Sequence, residues 1–382
     1  MSNFPTRRVA ICAPGFPSSR DDSDKPFLLD HAKALVSTGL KVTVICPAVP
    51  GLPRRQVVED ILVLRVRYAP RRFETLASTG AMYREARGLR ALLAIPMIAG
   101  MIIKTIKVSR EEGTVVCHGH WWMPGGFVAV IAARILKISS VVHLHGSDST
   151  IVDNRFMRTL AHWVMSRATH CLAVSDRLAK WGQEVSERKV DVCGMPLRIP
   201  ISTELSEAPI DGPILGVGRL VHEKGFDVLI EAMSSLDPIN RPLLVIVGEG
   251  PEREALQKQA SVMSVNLKLA GSVSPALMKD WYAKAQFVVV PSRREGFGLV
   301  AAEAAAHRRA VVASDVGAID AIVKHGESGL LVEVENVEQL ATALKNLDPS
   351  WGIKGPEKVA HMNLSTHGKW LLDLYAEPRG AT

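Results

Sequence analysis

Four consecutive apolar residues, Phe287-Val288-Val289-Val290, run into Pro291-Ser292-Arg293-Arg294-Glu295-Gly296-Phe297-Gly298, and an alanine-rich stretch follows from Leu299 to Ala306. A short β-branched run with no polar face predicts a strand buried on both sides, as in a parallel sheet. Parallel strands need crossovers, commonly helices, so this stretch commits the chain to an α/β class. Strand, glycine turn and helix start also form the geometry that aims free backbone N–H groups at an anion. Two carboxylates bracket the turn, Glu295 within it and Glu303 two helical turns on. A carboxylate repels phosphate but accepts hydrogen bonds from hydroxyls. The pair therefore suggests a ligand carrying both phosphate groups and sugar hydroxyls.

The same alternation runs through the rest of the chain. Val9–Cys12 predicts a first strand ending at Pro14-Gly15-Phe16-Pro17, then a polar loop, a helix from about Pro26 to Thr38, and a second strand at Lys41–Cys46. That is the βαβ start of a doubly wound domain, whose ligands bind beyond the carboxyl ends of the strands; Gly15 would line that crevice. Further strands are expected at Thr114–Cys117, Ser140–Leu144, Leu172–Ser175 and Val190–Pro196. The strands from Thr114 and Ser140 lead to His118-Gly119-His120 and His145-Gly146-Ser147-Asp148. Histidines at the ends of neighbouring parallel strands face one crevice; half-buried polar residues are the plainer alternative for His118 and His120. Residues 197–213 hold three prolines and no periodicity, which marks a hinge. A second α/β domain restarts at Ile214. The expected division is 1–196, a hinge at 197–213, 214–360, and a segment 361–382 returning to the first domain. In the second domain, Gly218-Arg219-Leu220-Val221-His222-Glu223-Lys224-Gly225 sets two cations at a strand-to-helix passage, a natural phosphate clamp.

A chain of 382 residues is too long for one core, and 47% hydrophobic content with 22% charge places it among folded globular proteins. Between Arg54 and Arg90 stand nine arginines (54, 55, 65, 67, 71, 72, 84, 87, 90) against four acids (59, 60, 74, 85). That local excess suits an anionic membrane surface or a phosphate-bearing substrate, or is simply a solvated basic face. The apolar stretch Ala91–Ile103, interrupted by Pro96 and Gly100, is short for a membrane span and predicts a core or interfacial helix. Five scattered cysteines (12, 46, 117, 171, 193) form no C-x-x-C pair, which implies neither zinc ligands nor a disulfide framework and suits a reducing cytoplasm. MSNFPTRR runs straight into a strand, so no leader peptide is expected. Nothing points to nucleic acid.

The spacing E-x7-E at Glu295 and Glu303, set after PSRREGFG and before AVVASDVGAID, resembles the signature of family 4 of the retaining glycosyltransferases. The resemblance covers most of the chain and is strongest from Ile214 to Val332. It implies the GT-B fold, two Rossmann-like domains facing across a cleft. It also implies hexosyl transfer from a nucleotide-diphosphate sugar, a UDP- or GDP-sugar being favoured, to an acceptor hydroxyl of a glycan, lipid-linked or small-molecule acceptor. In the family, Arg219 and Lys224 grip the diphosphate, and Glu303 holds the ribose. Glu295 with the backbone of Gly296, Phe297, Gly298 and Leu299 holds the sugar, and the turn at Val273 lies by the base. On the acceptor side the H-G-x-D motif places His145 beside the transferred sugar, with Asp148, His118, His120 and Gly15 nearby. The implied catalytic set is His145, Arg219, Lys224 and Glu295, with no metal and no cofactor. The implied setting is cytoplasmic synthesis of cell-surface polysaccharide or glycolipid, peripheral to the inner membrane face. Arg308 and Ala310 stand where the family usually has glycine and proline, and Asp320 where glutamate is usual.

Other classes fit less well. Asp22-Ser23-Asp24 matches the D-x-D metal motif of GT-A transferases but lies in a turn-rich loop. No G-x-G-x-x-G follows the first strand, as a dehydrogenase would require. A nucleotide-sugar 2-epimerase shares the architecture but needs no acceptor, a soluble-acceptor transferase needs no membrane, and a non-catalytic glycan- or lipid-binding scaffold need not keep the four charged residues.

Overall fold

The computed structural model describes residues 8–20, 22, 25–76, 88–149, 152, 155–197 and 207–377. The chain divides into two compact units, Met1–Pro196 with Leu364–Thr382, and Leu197–Asn363.

Among the described residues the first unit carries eight strands: β1 (Arg8–Cys12), β2 (Lys41–Pro47), β3 (Arg55–Val58), β4 (Ile61–Val66), β5 (Thr114–His120), β6 (Ser139–Leu144), β7 (His170–Ala173) and β8 (Asp191–Val192). Their order is β3-β4-β2-β1-β5-β6-β7-β8, parallel throughout except for β3 against β4. Side chains alternate across β1. Val9 and Ile11 enter one apolar cluster with the helix Pro26–Ser37, while Ala10 and Cys12 enter another with the helices Ala94–Glu112 and Phe127–Leu136. Both faces of the sheet are thus covered, the arrangement that uninterrupted apolar strands require. The terminal helix Leu364–Ala376 packs on Pro26–Ser37, and a Cβ on Gly368 would fall 2.2 Å from the carbonyl oxygen of Ala34. Only glycine permits that approach.

Three sequence expectations change here. The arginine-rich segment contains a β3–β4 hairpin that the residue pattern hides. Its turn, Glu59-Asp60, has φ of 49° and 66°, a pair of left-handed residues without the usual Asn-Gly signal. Arg65 leaves the basic surface altogether. It is 4% exposed and donates to the carbonyl of Pro53 and to Gln56. Arg54, Arg55, Arg67, Arg71 and Arg72 remain exposed, whereas Arg84 and Arg87 lie outside the described residues. The apolar stretch after them is longer than read. Residues 91–112 are long and apolar enough to cross a membrane by length and composition. One stripe, Met97, Met101, Thr105 and Val108, is nonetheless buried on the domain, while Leu92, Ile95 and Ile103 are exposed on other faces.

The second unit carries β9 (Ile214–Val217), β10 (Leu244–Val247), β11 (Leu267–Gly271), β12 (Phe287–Val290), β13 (Val311–Ser314) and β14 (Gly329–Val332). The order β11-β10-β9-β12-β13-β14 is all parallel, and it reverses direction between β9 and β12. In such a sheet ligands bind outside the carboxyl ends of the strands, at the point where the order reverses. Of the expected hinge, 198–206 lies outside the described residues.

Candidate active site

The loops leaving β9 and β12 bring the two charged motifs of the second unit together. After β9 the chain passes Gly218 and Arg219, makes a short turn at His222–Lys224, and enters the helix Phe226–Ser234 through Gly225. Gly225 has φ 66°, and a Cβ there would lie 2.0 Å from the carbonyl oxygen of Pro291. The glycine therefore lets the first loop lie directly on the second. Across that contact Lys224 Nζ meets Glu295 Oε2 at 2.6 Å, with the side chains 23% and 15% exposed. Ser292 Oγ donates to the same carboxylate oxygen at 3.3 Å. An ammonium has three donors and Glu295 engages one of them, which fixes the lysine while leaving charge and hydrogens for a ligand. Arg219 is exposed and forms no ion pair among the described residues. Gly298, in the left-handed region at φ 84°, begins the helix Leu299–Ala306, next to half-buried Gly296 and buried Phe297.

Glu303 lies on that helix and accepts from Tyr282 Oη at 2.7 Å. Burial, and then the neighbouring carboxylate, pushes the Tyr282 phenol well up, so it stays a donor at all working pH. Val273 is half-buried in the loop beyond β11, the edge strand, two strands away from β9. Asp320 opens the short helix Ile319–Ile322. Arg308 adopts φ 54°, so the position where a glycine was expected does call for left-handed backbone, and arginine bears the strain. The helix still ends at Ala306 and β13 still begins at Val311.

Two residues to which the sequence reading gave no role position this site. Tyr282 is one. Arg293 is the other, since its guanidinium takes both oxygens of Asp227 at 2.8 and 2.7 Å and donates to the carbonyl of His222 at 2.7 Å. It thereby rivets the β12 loop to the β9 loop. Burial would raise the Asp227 carboxyl, but the Arg293 bonds outweigh it and hold it below its ordinary value.

In the first unit the corresponding reversal lies between β1 and β5. Gly15, just beyond β1, is buried with Lys25 Nζ 3.2 Å from where a Cβ would stand. His145 follows β6 directly. Its ring lies 4.5 Å from that of Trp121 and 5.4 Å from Phe27, and its Nε2 is 2.8 Å from His120 Nδ1. Asp148 is fully buried and accepts from the backbone N–H groups of Trp122 at 2.7 Å and His145 at 2.5 Å. Burial wins over those bonds and pushes its carboxyl up to about 7. Trp121, at φ 60°, is a bulky residue held in left-handed backbone, the kind of strain that collects at functional sites. His118 and His120 lie within β5, which runs to His120 instead of ending at Cys117, and both rings are fully buried. Burial and the neighbouring imidazoles hold His118, His120 and His145 well below the usual histidine value. Of the D-x-D stretch, only Asp22 lies within the described residues, where it accepts from Ser18 N and Oγ.

The two units match separate family models. Residues 26–197 match the glycosyl transferase 4-like domain and residues 212–348 the glycosyl transferases group 1 model. The chain is a GT-B glycosyltransferase. Among its relatives, the putative teichuronic acid biosynthesis glycosyltransferase TuaC of Bacillus subtilis (strain 168) is 28% identical over 347 residues, 86% of each chain. The D-inositol 3-phosphate glycosyltransferase of Nocardiopsis dassonvillei is 28% identical over 390 residues, covering 91% of this glycosyltransferase and 88% of that protein. In fold it is similar to sucrose-phosphate synthase from Thermosynechococcus elongatus, with TM-score 0.74, 20% identity, and coverage of 97% and 98% of the two chains. HepE of Anabaena in complex with UDP-glucose gives TM-score 0.68 at 16% identity, covering 96% and 98%.

Proposed function

We propose that this glycosyltransferase moves a hexosyl group from a nucleotide-diphosphate sugar to an acceptor hydroxyl with retention of configuration. The observation that carries the reading is the Lys224–Glu295 contact, set between the loops where the second sheet reverses and beside the start of the helix bearing Glu303. Lys224, Arg219 and the N–H groups at Gly298–Leu299 take the diphosphate, Glu303 the ribose, and Glu295 both fixes Lys224 and accepts from sugar hydroxyls. Val273 borders the base. Breaking the glycosidic C–O bond puts charge on the leaving phosphate. Preorganised cations stabilise that charge as it grows, so the phosphate needs no hard metal cation of its own. Asp148, the carboxylate beside His145, is committed to two backbone N–H groups and is not assigned as a covalent nucleophile. Front-face attack through an oxocarbenium-like state follows, with the leaving phosphate taking the acceptor proton. His145 and Asp148 belong to the acceptor side, with Gly15.

The resemblance to TuaC favours a cell-surface polysaccharide or glycolipid acceptor, and the solved HepE complex a UDP-sugar donor. Exposed Arg54, Arg55, Arg67, Arg71 and Arg72, with Ile95 and Ile103 on the helix Ala94–Glu112, give a basic surface and an apolar helix face suited to lying on anionic lipid at the cytoplasmic side. The D-inositol 3-phosphate transferases support a second reading, a soluble phosphorylated acceptor. Incubation with a panel of UDP- and GDP-sugars and both acceptor types, followed by NMR of the anomeric proton of the product, tests the proposal. An inverted product, or hydrolysis or epimerisation without transfer, would overturn it.

A further inference from the structure

Two H-x-H pairs stand on adjacent parallel strands, His118 and His120 in β5, and His143 in β6 with His145 just beyond it, with His120 opposite His143 in register. Alternate residues of a strand share a face, so each pair projects to one side. His31, on the buried face of the helix Pro26–Ser37, turns its ring edge-on to His118 at 4.8 Å and to His120 at 4.6 Å. The rings of His31, His118 and His120 are all fully buried, and one nitrogen from each lies within 4.8 Å of the other two.

The pattern of their hydrogen bonds is the informative part. Each ring engages its Nδ1: His118 with Tyr375 Oη at 2.6 Å, His120 with His145 Nε2 at 2.8 Å, and His31 with His367 Nε2 at 3.0 Å. Each leaves Nε2 buried without a hydrogen-bond partner. A buried unpaired polar nitrogen costs about 1–3 kcal/mol, and three on neighbouring rings are not what a merely structural cluster would keep. Metal-binding histidines show this arrangement, with one nitrogen oriented by an outer partner and the other left for the ion.

We propose that His31, His118 and His120 bind a zinc-class divalent cation through their Nε2 atoms, with Tyr375, His145 and His367 orienting the rings. Three imidazoles and no acidic ligand select zinc, nickel or copper over magnesium or calcium. Tetrahedral zinc bonds nitrogen at about 2.0–2.1 Å, so the rings close inward on binding and leave a fourth position for water. The site lies wholly within the first unit and shares His145, which orients the His120 ring, with the acceptor side of the transfer reading. It departs from the sequence expectation of no metal site, because spacing alone does not bring His31 to β5.

The test is zinc uptake by tag-free, full-length protein, measured by elemental analysis and by competition with a chromophoric chelator, with Co²⁺ as a spectroscopic probe. One equivalent of Zn²⁺ and a visible Co²⁺ band of a tetrahedral nitrogen site are expected. His31→Gln and His118→Gln should abolish uptake, and Tyr375→Phe, which keeps the ligands, should weaken it by about 10-fold. The control His361→Gln, on the exposed surface of the other unit, should leave it unchanged. If the glutamine variants fail to fold, the Tyr375→Phe affinity and the Co²⁺ spectrum still decide. Folded protein without uptake, uptake that survives His31→Gln, or no change with Tyr375→Phe would overturn the site.

Discussion

Replacing Arg293 with alanine should loosen the donor-side loops without removing any group proposed to touch the ligand. The guanidinium makes two parallel bonds to Asp227, one to the His222 carbonyl and one of 2.5 Å to Glu335. The Arg293 side chain is 13% exposed and that of Asp227 36%. Exposed pairs are worth about 0–1 kcal/mol and breaking buried ones costs about 3–5 kcal/mol, so this half-covered pair should cost about 2 kcal/mol. In a unit of this size that lowers Tm by roughly 4–8 °C. Lys224 and Glu295 ride on the two loops Arg293 joins, and a displacement of about 1 Å costs on the order of 100-fold, so kcat/KM should fall by roughly 10–100-fold. The pH dependence has a definite sign. Because the Asp227 carboxyl is held below 3.8 when folded, the stability it adds is complete above that value and is lost as pH falls through the folded value. Arg293→Ala should lose this acid-side slope, and Arg293→Lys, keeping charge but not the fork, should recover part of both effects. Thermal unfolding from pH 3 to 7 with steady-state kinetics reads all three. Unchanged Tm, slope and kcat/KM in Arg293→Ala would refute the rivet.

Glu303→Gln should weaken nucleotide binding by about 1.5–3 kcal/mol, and Tyr282→Phe by about 0.5–1.5 kcal/mol, both read by calorimetry with UDP and GDP; unchanged affinity in both would remove Glu303 from the ribose. Transfer should persist in excess EDTA. Complete loss restored by Mg²⁺ or Mn²⁺ would place a hard cation at the diphosphate, a question separate from the imidazole site, which prefers softer ions. Binding to vesicles should rise with anionic lipid and fall with salt, and Ile95→Asp with Ile103→Asp should reduce it; indifference to lipid charge, salt and substitution would favour a soluble acceptor.

Much of the second unit was legible because its signals are local. Phe287–Val290 and Leu299–Ala306 emerge with the boundaries their residues suggest, since a β-branched run, a glycine turn and an alanine helix each have one comfortable conformation. The Lys224–Glu295 contact joins residues 71 apart, and only the motif order hinted at it. Arg293 was hidden for the opposite reason. It sits inside the quoted turn, but a guanidinium in a loop reads as surface until Asp227 is seen beneath it. The β3–β4 hairpin escaped because Glu59 is a poor left-handed residue and no glycine follows Asp60, so the turn is held by the pairing of the strands themselves. In the first unit the two H-x-H pairs were visible, and period-two alternation on a strand already puts each pair on one face. His31 and His367 could not be added, because helix docking and not sequence spacing carries them there.

The central claim, that fixed cations between β9 and β12 stabilise the departing diphosphate, is tested most directly by separating kcat from donor KM in Lys224→Ala and Arg219→Ala. A donor to developing charge is typically worth about 10²–10³ in kcat, so each variant should lose roughly that factor with a smaller rise in KM. The double variant should lose less than the product, because both serve one target. Variants that raise KM alone and leave kcat intact would make the pair a binding clamp and contradict the account.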